Sequence, residues 1–428
     1  MLSDQTAPPG AALAEWRAYW PLIFVSWVGL ALLGIPILSL SAFLAPLHAE
    51  FGWSYAEISL CLSVYAAVGV IGSPFAGRLI DRWGPRRVVL PGVILTGVAF
   101  GMLAMTNASL VSWLLLWLIY CVAGQLILMQ AWSAAVASNF VAGRGLAIAI
   151  VLTGSAITAT FIPRIAVALI TEYGWRGAYG IMGTVWAMAG GLLVFFLFRS
   201  KQDLARRNDQ AAATPATAEA LAGASARDGL RSTTFIKLAV AALAGELVII
   251  GIVVNIIPML TKTGFSREEA AWMFAFVGIS AVIGKLICGT VASRIDGKYI
   301  MAFLLALPIA TSLILMEPTI TTMSAGLAIG FLGFSSGGQL EMLVYVTARH
   351  FGLKAFGTLF GVIGGVLSLA IGIGPPIAGW LYDLGNSYDP MLIANIPLSL
   401  IGVGLMLIMR HYPDQAPAAA PALAEAAE

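Results

Sequence analysis

Histidine and cysteine are nearly absent, three of each among 428 residues. Cys61, Cys121 and Cys288 all fall inside apolar runs, and His48, His350 and His411 are scattered, so neither a disulfide framework nor a metal-ligand spacing appears. Free cysteines placed in this way are expected to be small buried residues. Charge is also sparse. Asp, Glu, Lys and Arg make up 10% of the chain and the net charge is +2, which gives no reason to expect a nucleic-acid partner. A phosphate-cradling glycine loop is missing, which argues against ATP coupling, and no His, Cys or Ser constellation suggests an enzyme. Nothing calls for a cofactor or a metal.

Apolar sequence fills the space left by charge. The chain is 60% hydrophobic with 46 glycines, and its mean hydropathy is +0.92. Such a composition cannot cover a soluble fold with polar groups, so its solvent is lipid. Twelve apolar runs, each about 20 residues and therefore able to cross a hydrocarbon core about 30 Å thick as a helix, start near Tyr19, Tyr55, Val88, Leu110, Gly145, Tyr179, Phe235, Ala270, Ile300, Thr321, Gly357 and Met391. The expected fold is an all-α integral membrane protein. The first 18 residues carry Asp4 and Glu15, and no small-residue cleavage site follows the first run, so an uncleaved tail is expected over 1–18.

With both tails placed inside, eighteen Lys and Arg residues fall on the inner side, including Arg78, Arg82, Arg86 and Arg87, against three outside, Arg176, Lys262 and Arg267. The positive-inside rule then predicts cytoplasmic termini. The densest cluster, "GRLIDRWGPRR" at 77–87, becomes the hairpin between the second and third spans.

The second half of the chain repeats the first at an offset of 212 residues. Gly52, Trp53, Ser54 and Glu57 correspond to Gly264, Phe265, Ser266 and Glu269; Gly77, Arg82 and Arg86 to Gly289, Arg294 and Lys298; Gly145 and Pro163 to Gly357 and Pro375. Two six-helix bundles are expected, at 19–199 and 234–410. A polar linker over 200–233 joins them, and an Ala/Pro-rich tail covers 411–428.

Over nearly its whole length the chain now resembles the major facilitator superfamily. Gly77, Leu79, Asp81, Arg82, Gly84 and Arg86 match that superfamily's loop 2/3 signature, with Pro85 where a basic residue is usual. The resemblance implies two pseudo-symmetric halves and a conformational latch at Gly77, Asp81, Arg82, Gly84 and Arg86, Asp81 being suited to complement the positive N-terminus of a neighbouring helix. Topogenesis is the alternative role of the same arginines. "FGWSYAEIS", "GWRGAY" and "ARHFGLKAFGTLFG" look like the monocarboxylate porter group, which includes oxalate/formate exchangers.

Four ionisable residues fall well inside spans: Arg164, Glu246, Lys285 and Glu341. Each costs roughly 2.5–3.5 kcal/mol or more at a helix centre, so each is a site hypothesis by default. Lys285 precedes Arg294 by nine residues, about 13 Å at 1.5 Å per residue. The segment "KLICG" resembles the one in which the monocarboxylate family places its substrate-binding cation, which implies an anion site at Lys285; a structural ion pair is the other reading. Glu341 and Glu246 lie at similar depth. Burial favours a neutral acid and a nearby cation favours a carboxylate, the condition for a proton site that substrate can perturb. Both are candidates for proton coupling, against a plain helix–helix hydrogen bond. Glu341 shares a face with Phe334, Gly338 and Tyr345 that suits a cavity wall. Where monocarboxylate porters often carry an aspartate one turn before the cation, this chain has Ala281. Arg164, beyond Pro163 on a stripe with Thr153, Ile157 and Thr160, either lines the cavity or snorkels outward. Tyr65, Tyr120, Asn255, Gln339 and Tyr345 can orient a substrate by hydrogen bonds or serve as packing contacts.

These readings converge on a secondary transporter that takes up a small organic monocarboxylate, with proton symport, by rocker-switch alternating access. An exchanger of the oxalate/formate type, using Arg164 and Lys285 together on a dianion, is the alternative within transport. A non-transporting carboxylate receptor is the alternative outside it. The expected partners are the organic anion, the proton and the bilayer, with a monomer as the working unit in the inner membrane of a bacterium.

Overall fold

The computed structural model describes residues 11–140, 147, 150–198, 225–292, 294–352 and 355–409, without the side chains at 11–14, 73–74, 81, 130, 133–134 and 137–138, so the expected latch residue Asp81 lies outside the described side chains. The expected tails beyond residues 11 and 409, and the linker up to residue 224, lie outside it as well.

The described chain is helical throughout. The helices are α1 Ala11–Phe51, α2 Tyr55–Trp83, α3 Pro85–Met102, α4 Leu110–Gly124, α5 Met129–Asn139, α6 Gly154–Val185, α7 Gly191–Leu197, α8 Ala226–Arg231, α9 Thr233–Lys262, α10 Arg267–Val291, α11 Gly297–Leu315, α12 Thr322–Phe351, α13 Phe356–Gly385 and α14 Asp389–Leu407. Among the described residues, eleven helical stretches are long and apolar enough to cross a membrane. One of them, Ile150–Leu197, has 48 residues, about 72 Å of helix and more than twice a bilayer core. It turns at Gly174, whose φ of 69° is left-handed, and so supplies two spans. Twelve spans result, and the fifth gives way to the sixth at Gly174 rather than near Tyr179.

The repeated sequence fragment has a local cause. Gly52 and Gly264 adopt positive φ, and the serine two residues later caps the next helix. Ser54 accepts from Glu57 N while Glu57 accepts from Ser54 N; Ser266 and Glu269 do the same. Each half thus opens its second helix with a left-handed turn and a capping box. In the loop 2/3 signature, Gly84 takes φ 85° and Pro85 occupies the first position of α3, where its missing N–H is of no consequence. Arg86 donates to the Phe195 carbonyl at 2.7 Å within its own half. The close of the expected linker is ordered: Ser225 caps α8, and Gly229 sits against Leu359 of α13.

Because lipid supplies no hydrophobic force between helices, association depends on close packing at small residues. Within the first half, Gly97 and Gly101 of α3 meet Ala187 and Gly183 so closely that a Cβ on Gly97 or Gly183 would strike backbone. Trp113, Trp117, Tyr120, Phe100, Tyr179 and Trp186 form its aromatic centre. In the second half, Gly333 and Gly337 of α12 lie against the backbones of Val277 and Ala281 of α10.

Between the halves, contact is concentrated at the end of the bundle away from both termini, the distal end. Ser41 of α1 accepts from Ile257 N of α9 at 3.0 Å. Along α2 and α13, Tyr55 stacks on Tyr382 with centroids 4.9 Å apart, Gly379 meets Tyr55 and Ala56, and Gly372 meets Ala66. Along α6 and α10, Thr171 reaches Glu268 and Gly278 meets Ala156 and Thr160. Toward the terminal end the glycines of α13, Gly357, Gly361, Gly364 and Gly365, face open space, as does Gly289 of α10. The protein is closed distally and open toward the termini.

Candidate functional site

α10 places Lys285 on the seam with α6. Its Nζ donates to the Leu152 carbonyl of the other half at 3.4 Å, a long bond, and no carboxylate pairs with it among the described residues. The carbonyl is available because the chain tightens at the start of the fifth span: Thr153 N turns back to Ile150 O and Ala156 N bonds Thr153 O, leaving Leu152 O to Ser155 Oγ and Lys285. The lysine is half-buried. It is a desolvated cation with one weak partner.

Glu341 of α12 is also half-buried and within electrostatic reach of Lys285. It has neither a hydrogen bond nor an ion pair among the described residues. The face it shares with Phe334, Gly338 and Tyr345 packs within its own half: the Phe334 backbone lies on Gly284, Gly338 meets Cys288 and Leu304, and Tyr345 donates to Ala292 O at 2.8 Å, so α10 covers much of that face. This packing turns Glu341 toward the helix that carries Lys285. Ala281 has a steric cause, since its backbone touches Gly337 and leaves the two helices in contact there.

Glu246 lies on a half-buried stripe of α9 with Ala239 and Leu243. On one flank Gly245 packs against Gln339, and on the other Leu247 and Ile250 pack against Gly374. No hydrogen bond or ion pair engages Glu246 among the described residues.

Arg164 does not join Lys285. Its guanidinium lies 3.3 Å from the centroid of the exposed Trp272 ring, a cation–π contact across the α6–α10 seam. Lys285 is level with Leu152, twelve residues before Arg164 and just ahead of α6, so the two charges are about 18 Å apart along the seam. Shared neutralisation of one small dianion is therefore not what this state offers. Arg164→Gln is expected to leave monocarboxylate affinity within about fivefold of wild type, because cation–π contacts at exposed sites are worth only about 0.5–1 kcal/mol. Titration of binding in detergent checks this.

The orienting amides and phenols are mostly sealed. Tyr120, Asn255 and Gln339 are at most 4% exposed. Gln339 Nε2 donates to Ser335 Oγ, Asn255 Nδ2 donates to Gly251 O, and Tyr120 lies in the aromatic centre. Tyr345 is spent on Ala292 O. These four are packed inside their own halves here, with Tyr345 and the Asn255 amide nitrogen bonded to helix backbone and Gln339 to the Ser335 hydroxyl. Tyr65 is half-buried on α2. Sequence reasoning missed Leu152 and Trp272. Leu152 acts through a backbone carbonyl that every residue carries, so no side-chain pattern could signal it.

A membrane-spanning bundle of two repeated halves, meeting on antiparallel seams with a half-buried cation on one of them, is the architecture of a secondary transporter. The Major Facilitator Superfamily model matches residues 20–363 and 238–425, and the chain belongs to that family. Monocarboxylate transporter 13 of Bos taurus is 23% identical over 397 residues, 92% of this chain and 89% of that protein. An MFS-type transporter of Gibberella moniliformis is 27% identical over 324 residues, 74% of each. Monocarboxylate transporter 9 of Mus musculus is 34% identical over a shorter stretch, 34% of this chain and 29% of its own. A solved bacterial homologue of the human lysosomal transporter Spinster, inward-facing and unoccupied, shares the fold at TM-score 0.67 and 16% identity, covering 90% of this chain and 93% of that one.

Proposed function

We propose that the protein takes up a small organic monocarboxylate together with a proton, by rocker-switch alternating access, across a bacterial inner membrane. The observation that carries this reading is Lys285: a cation inside a span whose one hydrogen-bond partner among the described residues is a carbonyl of the other half at 3.4 Å. An arriving carboxylate offers that ammonium a charge-assisted bond, roughly twice as strong as a neutral one. A single point-charge cation suits one carboxylate, and the distance to Arg164 gives a second anionic group no partner. The monocarboxylate transporters among the relatives support the same class.

Direction follows from charge. Eighteen basic residues against three put the termini in the cytoplasm, so the open end faces inward and the closed distal end faces outward. In this structure Lys285 bridges the halves. Substrate competes for it, and loss of the Leu152 bond links occupancy to the motion of one half against the other.

The test is uptake by purified protein in liposomes under an imposed pH gradient, with a panel of mono- and dicarboxylates. The expected result is accumulation of at least one monocarboxylate, abolished by a protonophore, with dicarboxylates at least about tenfold poorer. Carboxylate binding without flux would identify a receptor, and pH-independent counterflow of a dicarboxylate would identify an exchanger.

A further inference from the structure

The distal closure contains a helix cap that crosses from one half to the other. Ser54 caps α2 by accepting from Glu57 N, but the two N–H groups between them are not served from their own half. Tyr55 N donates to Asp383 Oδ1 at 3.3 Å and Ala56 N to Asp383 Oδ2 at 3.2 Å. Asp383 stands in the last turn of α13 in the second half. One carboxylate thus spans two of the donors that a helix leaves orphaned at its start, and places its negative charge at the positive end of α2.

We infer that Asp383 is the outer latch of the transport cycle, a positioning residue that holds the distal end shut by capping α2 and releases it when the halves rock. This inference rests on the alternating-access reading. Three observations support it. The cap is intermolecular in all but chain continuity: Asp383 lies more than 300 residues from its partners. Its surroundings allow the close approach it needs, since Gly379, one turn before it, meets Tyr55 and Ala56 where any Cβ would strike backbone. The seam is built to part, because the same helix α13 turns Gly357, Gly361, Gly364 and Gly365 to open space at its other end. Carrying the distal register along both helices sets Gly361 level with Ala76, and Phe356, the first residue of α13, level with Asp81 of α2. The one helix pair therefore has an aspartate near the C-terminal end of each member, at the level of the partner's first turn, and a rocking motion that closes one end opens the other.

The second seam shows that the cap is particular to α2 and α13. The repeat counterparts of Asp383 and Ala56 are Thr171 and Glu268, which make one side-chain contact at 3.5 Å and no cap between the halves.

Spin labels at Glu172 and Thr263 report the distal opening, and labels at Arg87 and Tyr299 report the terminal opening; all four positions are exposed and the native cysteines are buried. Asp383→Asn is expected to raise the ratio of distal-open to distal-closed protein about two- to fivefold, the range for an exposed charge at a helix N-terminus, with a matching fall in terminal-open protein. Asp383→Ser, which keeps one acceptor, should be intermediate, and remains informative if the asparagine variant is poorly folded. Asp389→Asn removes an exposed charge at the same end and should shift neither distance. Distance distributions in Asp383→Asn and Asp383→Ser that match wild type at both ends would overturn the latch. A wild type that shows one conformation under every substrate and pH condition would overturn alternating access itself, and the latch with it.

Discussion

Lys285→Gln is expected to abolish carboxylate uptake while leaving the protein folded and inserted. Glutamine keeps a polar side chain that can still donate to Leu152 O, so the seam between α6 and α10 survives. The substrate loses its only charged partner. Hydrogen bonds to charged groups contribute about 1.5–3 kcal/mol, so carboxylate affinity should fall roughly 10- to 150-fold. Transport should fall further, because the same contact is needed to draw Lys285 from the seam. Lys285→Arg should retain measurable binding, since a guanidinium also bonds carboxylate, although its planar fork is not interchangeable with an ammonium. The measurements are initial uptake rate, equilibrium binding and the thermal midpoint of each variant. Wild-type uptake by Lys285→Gln would remove the proposed anion site.

Glu341→Gln is expected to separate binding from proton coupling. Glu341 lies in the electrostatic field of Lys285 without touching it, on the face of α12 that packs against α10. An ionised Glu341 competes with the substrate for the lysine, whereas a protonated one does not. Proton binding at Glu341 and anion binding at Lys285 therefore promote each other, and the coupling is reciprocal. The amide mimics the protonated state permanently. Counterflow should persist at rates within about threefold of wild type, while accumulation driven by a pH gradient should be lost, about a tenfold fall in the steady-state level per unit of gradient no longer used. Undiminished acid-driven accumulation would move the role to Glu246, whose Gln variant belongs in the same assay.

Much of the architecture is legible in the sequence because membrane folding is governed by few rules. A run of about 20 apolar residues has to span, and a backbone in lipid has to be helical. The capping boxes at Ser54 and Ser266 are likewise visible as fragments, because an N-cap and its N3 acid are read from side chains alone. Other features are not visible. α4 ends at Gly124 and the chain restarts in α5 after an extended Leu128, while its repeat counterpart α12 runs unbroken from Thr322 to Phe351. No proline or charge marks that difference. The candidate site is legible in its charges and not in its geometry. Lys285 and Glu341 stand out because lipid makes any charge conspicuous. The sequence cannot say that Tyr345, Gln339 and Asn255 spend their polar groups on nearby backbone or on Ser335. Nor can it show that Arg164 stacks on Trp272 instead of entering the site, since helical spacing fixes the face a residue occupies and not the neighbour that covers it.

The most direct test of the central claim is the simultaneous measurement of proton and carboxylate flux in proteoliposomes, with a pH-sensitive dye inside and a labelled monocarboxylate outside. The expected result is one proton entering with each monocarboxylate in wild type, no coupled proton flux in Glu341→Gln, and neither flux in Lys285→Gln. Carboxylate entry by the wild type without proton entry would contradict the account.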